Sequence, residues 1–157
     1  MLDNFALPRP AMVAQEPAQP NIALQQREPW LSDAAVIDAL SKAWKSSGNG
    51  TASRESVVVL YRNPDGTMRP VNLPITNQHK SYNIKLEPNI EAILHTHPNS
   101  TDAGRPSRKD IENADRTRIP IYTLTNRGMY HYNPSTKQTL LVKEGITWLE
   151  KPKPKKE

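Results

Sequence analysis

The chain contains no cysteine. Disulfides and thiolate metal sites are therefore excluded, and any metal must rest on histidine and carboxylate side chains. A long apolar run is also missing, which argues against a membrane-spanning helix. The N-terminus has Asp3 early and no apolar core segment, so no secretory signal is expected. There is no internal repeat. Basic side chains are not interleaved with aromatics and no recognition motif accompanies them, so nucleic acid is not expected as a partner.

What remains is a chain of 157 residues with a net charge of +5, long enough for one domain with a modest core. Part of the positive excess lies in Lys151-Pro152-Lys153-Pro154-Lys155-Lys156-Glu157, which reads as a solvated basic tail over 151–157. Residues 1–29 mix Pro8, Pro10, Pro17, Pro20 and Pro29 with Ala and Gln, without apolar periodicity. Such a segment cannot bury enough surface to offset chain entropy, and a disordered linker is expected there. The domain is placed at 30–150.

Within it, order is expected from Ser32, read as an N-cap with Asp33 in the first turn. Val36, Ile37, Leu40, Ala43 and Trp44 recur at helical spacing up to Gly48 and Gly50, with Trp44 as a core anchor. Glu55 to Arg62 is a β-branched strand that turns at Asn63-Pro64-Asp65-Gly66 into an extended segment from Thr67 to Ile75. Pro70 and Pro74 push that segment to a sheet edge. Thr76 to Pro88 is polar and ambiguous, with His79 in a surface loop. Strands are expected over Ile90–His97, Ile119–Leu124, Met129–Tyr132 and Thr139–Lys143, and a helix from Ser107 to Thr117. The whole reads as an α/β fold.

The chemistry concentrates where the strand Ile90–His97 ends in His95-Thr96-His97-Pro98. Alternate residues of a strand share a face, so the two imidazoles project together. Paired imidazoles suit a zinc-type ion. The third ligand should be an oxygen. Asp110, in Ser107-Arg108-Lys109-Asp110, is the candidate, with Asp102 as a rival on a loop. Ser107 and Asp110 also read as an ordinary helix cap, and both readings stay open. Two imidazoles and one carboxylate leave the fourth position of a tetrahedral zinc open, as catalytic sites do.

His95-Thr96-His97-Pro98, eight residues, and then Ser107-Arg108-Lys109-Asp110 resembles the JAMM motif of the JAB/MPN zinc metalloprotease superfamily. Tyr122 to Tyr132 resembles the closing strands of bacterial JAB-like domains at the C-terminal ends of polymorphic and Rhs-type toxins. The resemblance covers about Ser32 to Val142. It implies a JAB/MPN-like, cytidine-deaminase-like fold, a curved mixed sheet flanked by helices. It further implies Zn2+ on His95, His97 and Asp110, with Glu55 as general acid/base toward the water on the metal and Ser107 supporting the tetrahedral intermediate. Glu87 and Glu91 compete with Glu55, and Glu91 lies at even spacing from His95. His131 reads as a surface or packing histidine. Many relatives carry small glycines after the glutamate where this chain has Ser56-Val57-Val58, which would narrow the substrate groove.

The function implied is hydrolysis of peptide or isopeptide bonds, in the setting of a bacterial effector or toxin. The alternative is a catalytically silent binding module of the same fold. Partners implied are a protein or peptide substrate and a cognate immunity or carrier protein. The expected location is cytoplasmic, or wherever a specialised secretion system delivers the chain.

Overall fold

The computed structural model describes residues 28–51, 55–74, 84–99 and 104–150. Six strands form one mixed sheet: β1 (Val57–Arg62), β2 (Met68–Asn72), β3 (Ile90–Thr96), β4 (Ile121–Thr125), β5 (Gly128–Asn133) and β6 (Gln138–Glu144). Their order is β2-β1-β3-β4-β5-β6. Only β3 and β4 run parallel, joined through helix α2 (Arg108–Thr117); every other neighbouring pair is antiparallel. The expected α/β class is thus observed, as a mixed sheet with two helices. Among the described residues no helix is long and apolar enough to cross a membrane.

Alternation along the strands divides the core into two layers. Val58, Leu60, Ala92, Leu94, Tyr122 and Leu124 face helix α1 (Ala34–Ser46) and pack with Val36, Leu40, Ala43 and Trp44. Their sequence neighbours Ile93 and Ile121 face the other way and pack with Ile111 and Ala114 of α2 and with Tyr132. The α1 side carries most of the apolar burial. Full burial of a leucine such as Leu40, Leu60 or Leu94 contributes about 1.5–3 kcal/mol. Trp44 is a core anchor, as its spacing predicts.

Two details at the start of the domain differ from expectation. Ser32 does not cap α1. It ends a 3-10 turn, Pro29–Ser32, that buries Trp30 and Leu31. Asp33 is the N-cap, its carboxylate accepting the amide of Ala35 at 2.8 Å. Two adjacent cap-forming residues gave the pattern a one-residue ambiguity, and burial of Trp30 and Leu31 resolved it by drawing the preceding residues into a turn. Chain order therefore reaches back past Ser32 to Glu28, whose carboxylate accepts the hydroxyl of Tyr122. The hairpin at 63–66 forms as expected, and β2 occupies a sheet edge, where Pro70 leaves no interior ladder bond unmade. His79 and Asp102 lie outside the described residues.

Candidate metal centre

β3 runs through the apolar Ala92, Ile93 and Leu94 before its end becomes polar at His95-Thr96. His95 and His97 are both buried, at 7% and 3% exposure, with ring centroids 4.8 Å apart and planes at 72°. They share the α2 side of the sheet, as strand alternation requires. His95 stands opposite Val57 in the antiparallel β1–β3 register. Extending that register by two residues sets Glu55 across from His97. The extension is real: the Thr96 amide donates to the Ser56 carbonyl at 2.9 Å, and the Ser56 amide donates to the Thr96 hydroxyl at 2.9 Å.

Asp110 reaches the same point from the other side of the crossover. Ser107 caps α2, its hydroxyl accepting the Asp110 amide at 3.1 Å while Asp110 Oδ2 accepts the Ser107 amide at 2.7 Å. This capping box folds the Asp110 side chain back over the helix start. The start of α2 lies beside the end of β3, so the carboxylate meets both imidazoles. Oδ1 is 3.3 Å from His95 Nε2 and Oδ2 is 3.2 Å from His97 Nε2. The cap reading and the ligand reading of Asp110 therefore describe one conformation.

Glu55 completes the cluster. Its Oε2 lies 3.2 Å from His95 Nδ1 and its Oε1 3.9 Å from His97 Nε2. One ligand atom each from Glu55, His95 and His97 lies within 4.8 Å of the other two, a group that could hold a metal ion. The spacing to Asp110 fits as well: donors about 2.0–2.1 Å from a tetrahedral zinc stand about 3.3 Å apart. Glu55, expected as an acid/base, thus lies within reach of an ion held between the imidazoles.

The electrostatics of the four groups ask for a cation. Burial alone would lower the pKa of His95, but bonds to Asp110 and Glu55 outweigh it and push it up to about 10. Burial would raise the Asp110 carboxyl. The two imidazoles and the Ser107 amide instead hold it well below the usual carboxylate range. A proton on His95 thus faces both carboxylates in the group that could hold a metal ion.

The rivals to Glu55 lie away from the cluster. Glu91 does not share the His95 face despite its even spacing. The β1–β3 register slips between Leu60 and Tyr61, so Leu60 pairs with Ala92 while Tyr61 pairs with Ile90. That bulge turns Glu91 to the α1 side, where it lines a cavity of about 160 Å³ with Trp30 and Tyr122 and pairs with Arg62 at 2.7 Å. Glu87 is exposed. His131 is a packing histidine on the α1 side, stacked on Tyr122 with centroids 4.3 Å apart. Its Nδ1 lies 3.3 Å from Glu28 Oε1 without hydrogen-bond geometry, and burial pushes its pKa down to about 4. Burial, with Glu28 beside it, pushes the Tyr122 hydroxyl the other way, above its ordinary value.

The sequence reading missed the supports of the site. Thr96, between the histidines, points away from them and ties β3 to Ser56. The Thr123 hydroxyl donates to the Gly104 carbonyl at 2.8 Å, holding the chain just before α2. Only the alternation of Thr123 with His95 on one sheet face could have hinted at that contact. Comparison of the chain with protein-family models, with curated proteins and with solved structures found no match.

Proposed function

We propose that the chain is a zinc-dependent hydrolase of the JAB/MPN type that cleaves peptide or isopeptide bonds. The observation that supports it most is the convergence of Glu55, His95, His97 and Asp110 from three separate segments onto one point at the end of β3. His95, His97 and Asp110 would hold the ion. Bound there, zinc would supply Lewis acidity toward a carbonyl oxygen and lower the pKa of water.

The chain's own groups supply the rest. Glu55 Oε2 accepts from His95 Nδ1 and so fixes the tautomer in which Nε2 faces Asp110. The Glu55 carboxylate takes the proton of the attacking water and returns it to the leaving amine. Ser107 is exposed at the first turn of α2, and its oxygen already accepts the Asp110 amide. Its hydroxyl hydrogen is left to donate to the oxyanion that develops on the carbonyl, with the positive end of the α2 dipole behind it. The resemblance to bacterial JAB-like toxin domains makes an effector or toxin the setting we assign, with a protein substrate and an immunity or carrier protein as partners.

The test is Glu55→Gln, assayed on fluorescence-quenched peptide and isopeptide libraries and by growth inhibition at matched expression. Metal should be retained and turnover should fall by about 10²–10⁴-fold. Loss of metal would make Glu55 a ligand and require another base. Wild-type behaviour in both assays would leave the binding module as the correct reading.

A further inference from the structure

The two histidines of the metal centre are oriented in different ways. A histidine that ligates through one ring nitrogen ordinarily donates the other to a carboxylate, carbonyl or water, which fixes the ring. His95 has that partner, since Nδ1 bonds Glu55 at 3.2 Å. His97 does not. Its Nδ1 is buried and has no hydrogen-bond partner among the described residues, while its Nε2 faces Asp110. With no bond at that second ring nitrogen, its direction rests more heavily on the backbone that carries it.

The chain on either side of His97 is held firmly. Its amide donates to the Leu124 carbonyl at 2.9 Å, extending the β3–β4 pairing by one residue. Pro98 follows, with its own φ fixed and with His97 confined to extended backbone before it. Asn99 then ties the chain to two other segments. Its backbone amide donates to Gly50 O at 2.8 Å, and its side-chain Nδ2 donates to Asn49 O at 2.9 Å. Its Oδ1 accepts the amide of Asn126, in the β4–β5 turn, at 3.3 Å. Gly50 makes room for this: it has φ +82°, and a Cβ there would stand 2.3 Å from Asn99 Oδ1.

We infer that Asn99 is a positioning residue for the metal centre, aiming His97 through the backbone where His95 is aimed through its ring. A single residue separates the clamp from the ligand, and it is a proline, Pro98, with a locked φ. Displacing residue 99 therefore rotates His97 rather than being absorbed by a flexible linker. The turn that follows α1 contributes to metal affinity by the same route, although it touches neither imidazole. The inference rests on the metal reading proposed above.

Cobalt(II) tests it, by affinity in chelator competition and by the intensity of the visible absorption that distinguishes tetrahedral from expanded coordination. Wild-type protein should bind one cobalt with a tetrahedral spectrum. Asn99→Ala should bind 10–100-fold more weakly, the range for loss of a residue that orients a ligand, with a weakened, expanded-coordination spectrum. Gly50→Ala, which pushes into Asn99 from the opposite side, should do the same. Val36→Ala, buried near the start of α1 and so at the opposite end of the helix from the turn that holds Asn99, serves as a control that lowers stability while leaving affinity and spectrum unchanged. If Asn99→Ala fails to fold, Asn99→Asp, which keeps the acceptor and loses the donor, should show the same loss in smaller degree. Wild-type affinity and spectrum in the folded Asn99 and Gly50 variants would overturn the inference. Failure of the wild type to bind cobalt would overturn the metal reading itself, and this inference with it.

Discussion

In metal-free protein, His95 should remain protonated well into the alkaline range. Its imidazole is buried between Asp110 and Glu55, at 3.3 Å and 3.2 Å, and those bonds raise its pKa from 6.5 to about 10. A group whose pKa is higher folded than unfolded adds stability that is fully present below the unfolded value and is lost as pH rises through the folded one. The chelated protein should therefore be most stable below about pH 6.5 and lose on the order of 4 kcal/mol by pH 10. Asp110 works in the opposite sense, since its depressed pKa adds stability above its unfolded value of 3.8 that disappears on acidification. Imidazole nitrogen shifts measured by NMR across this range give the His95 titration directly. Asp110→Asn removes one carboxylate and keeps the shape, so the His95 midpoint should fall by about 1–3 pH units. Metal binding must displace the same proton, so calorimetry in buffers of different ionisation enthalpy should report its release near neutral pH. A wild-type His95 midpoint near 6.5, or chelated protein with flat stability between pH 6.5 and 10, would refute the coupling of the four groups.

Chelation should lower the melting temperature, because a bound ion joins β3 to α2 across the crossover. At a free concentration about 1,000 times its Kd an ion adds about 4 kcal/mol, or on the order of 10–20 °C for a domain of this size. An unchanged melting curve after verified metal removal would show that the site does not clamp the two elements. Gly128→Ala should be among the most damaging single changes. The residue has φ +134°, and an added Cβ would stand 2.0 Å from the Lys143 carbonyl, so strain and clash together should cost about 3 kcal/mol or more in chemical denaturation. A loss below about 1 kcal/mol would mean that β5 and β6 can part there without consequence.

Much of this arrangement was legible before the structure. Strand alternation put His95 and His97 on one face, turn residues located the 63–66 hairpin, and the spacing of Ser107 and Asp110 gave α2 its start. These are local properties, and local rules govern them. The sheet order and the side of the sheet that each helix covers are not local, since they depend on which apolar faces find each other. Glu91 shows the limit most clearly. Its spacing from His95 promised a shared face, and one bulged residue reversed it. A bulge is a property of two strands together and leaves no mark on the alternation of either one. Asn99 was invisible for a similar reason: each of its partners, Asn49, Gly50 and Asn126, is distant in sequence and equally at home in any polar turn.

The position of the cluster follows from the division of labour between the two faces of the sheet. Burying two carboxylates and two imidazoles costs several kcal/mol unless the charges are matched, and a domain of this size has little stability to spare. The apolar core lies mainly on the α1 side, where Trp30, Leu40, Trp44, Leu60, Leu94 and Leu124 pack together. The α2 side holds a much smaller apolar group around Ile121 and Tyr132. Its upper end can therefore be polar without opening the main core. The one parallel pair, β3–β4, forces the chain across that face, and so brings the start of α2 to the carboxyl end of β3. Strand carboxyl ends and helix starts meet there, which is where α/β sheets commonly bind ligands. The positive end of α2 stabilises Asp110 as a carboxylate, and the carboxylate in turn stabilises positive charge between the histidines. Topology, helix dipole and ligand chemistry thus favour the same site, and what occupies it, a proton or an ion, helps to set the stability of the domain.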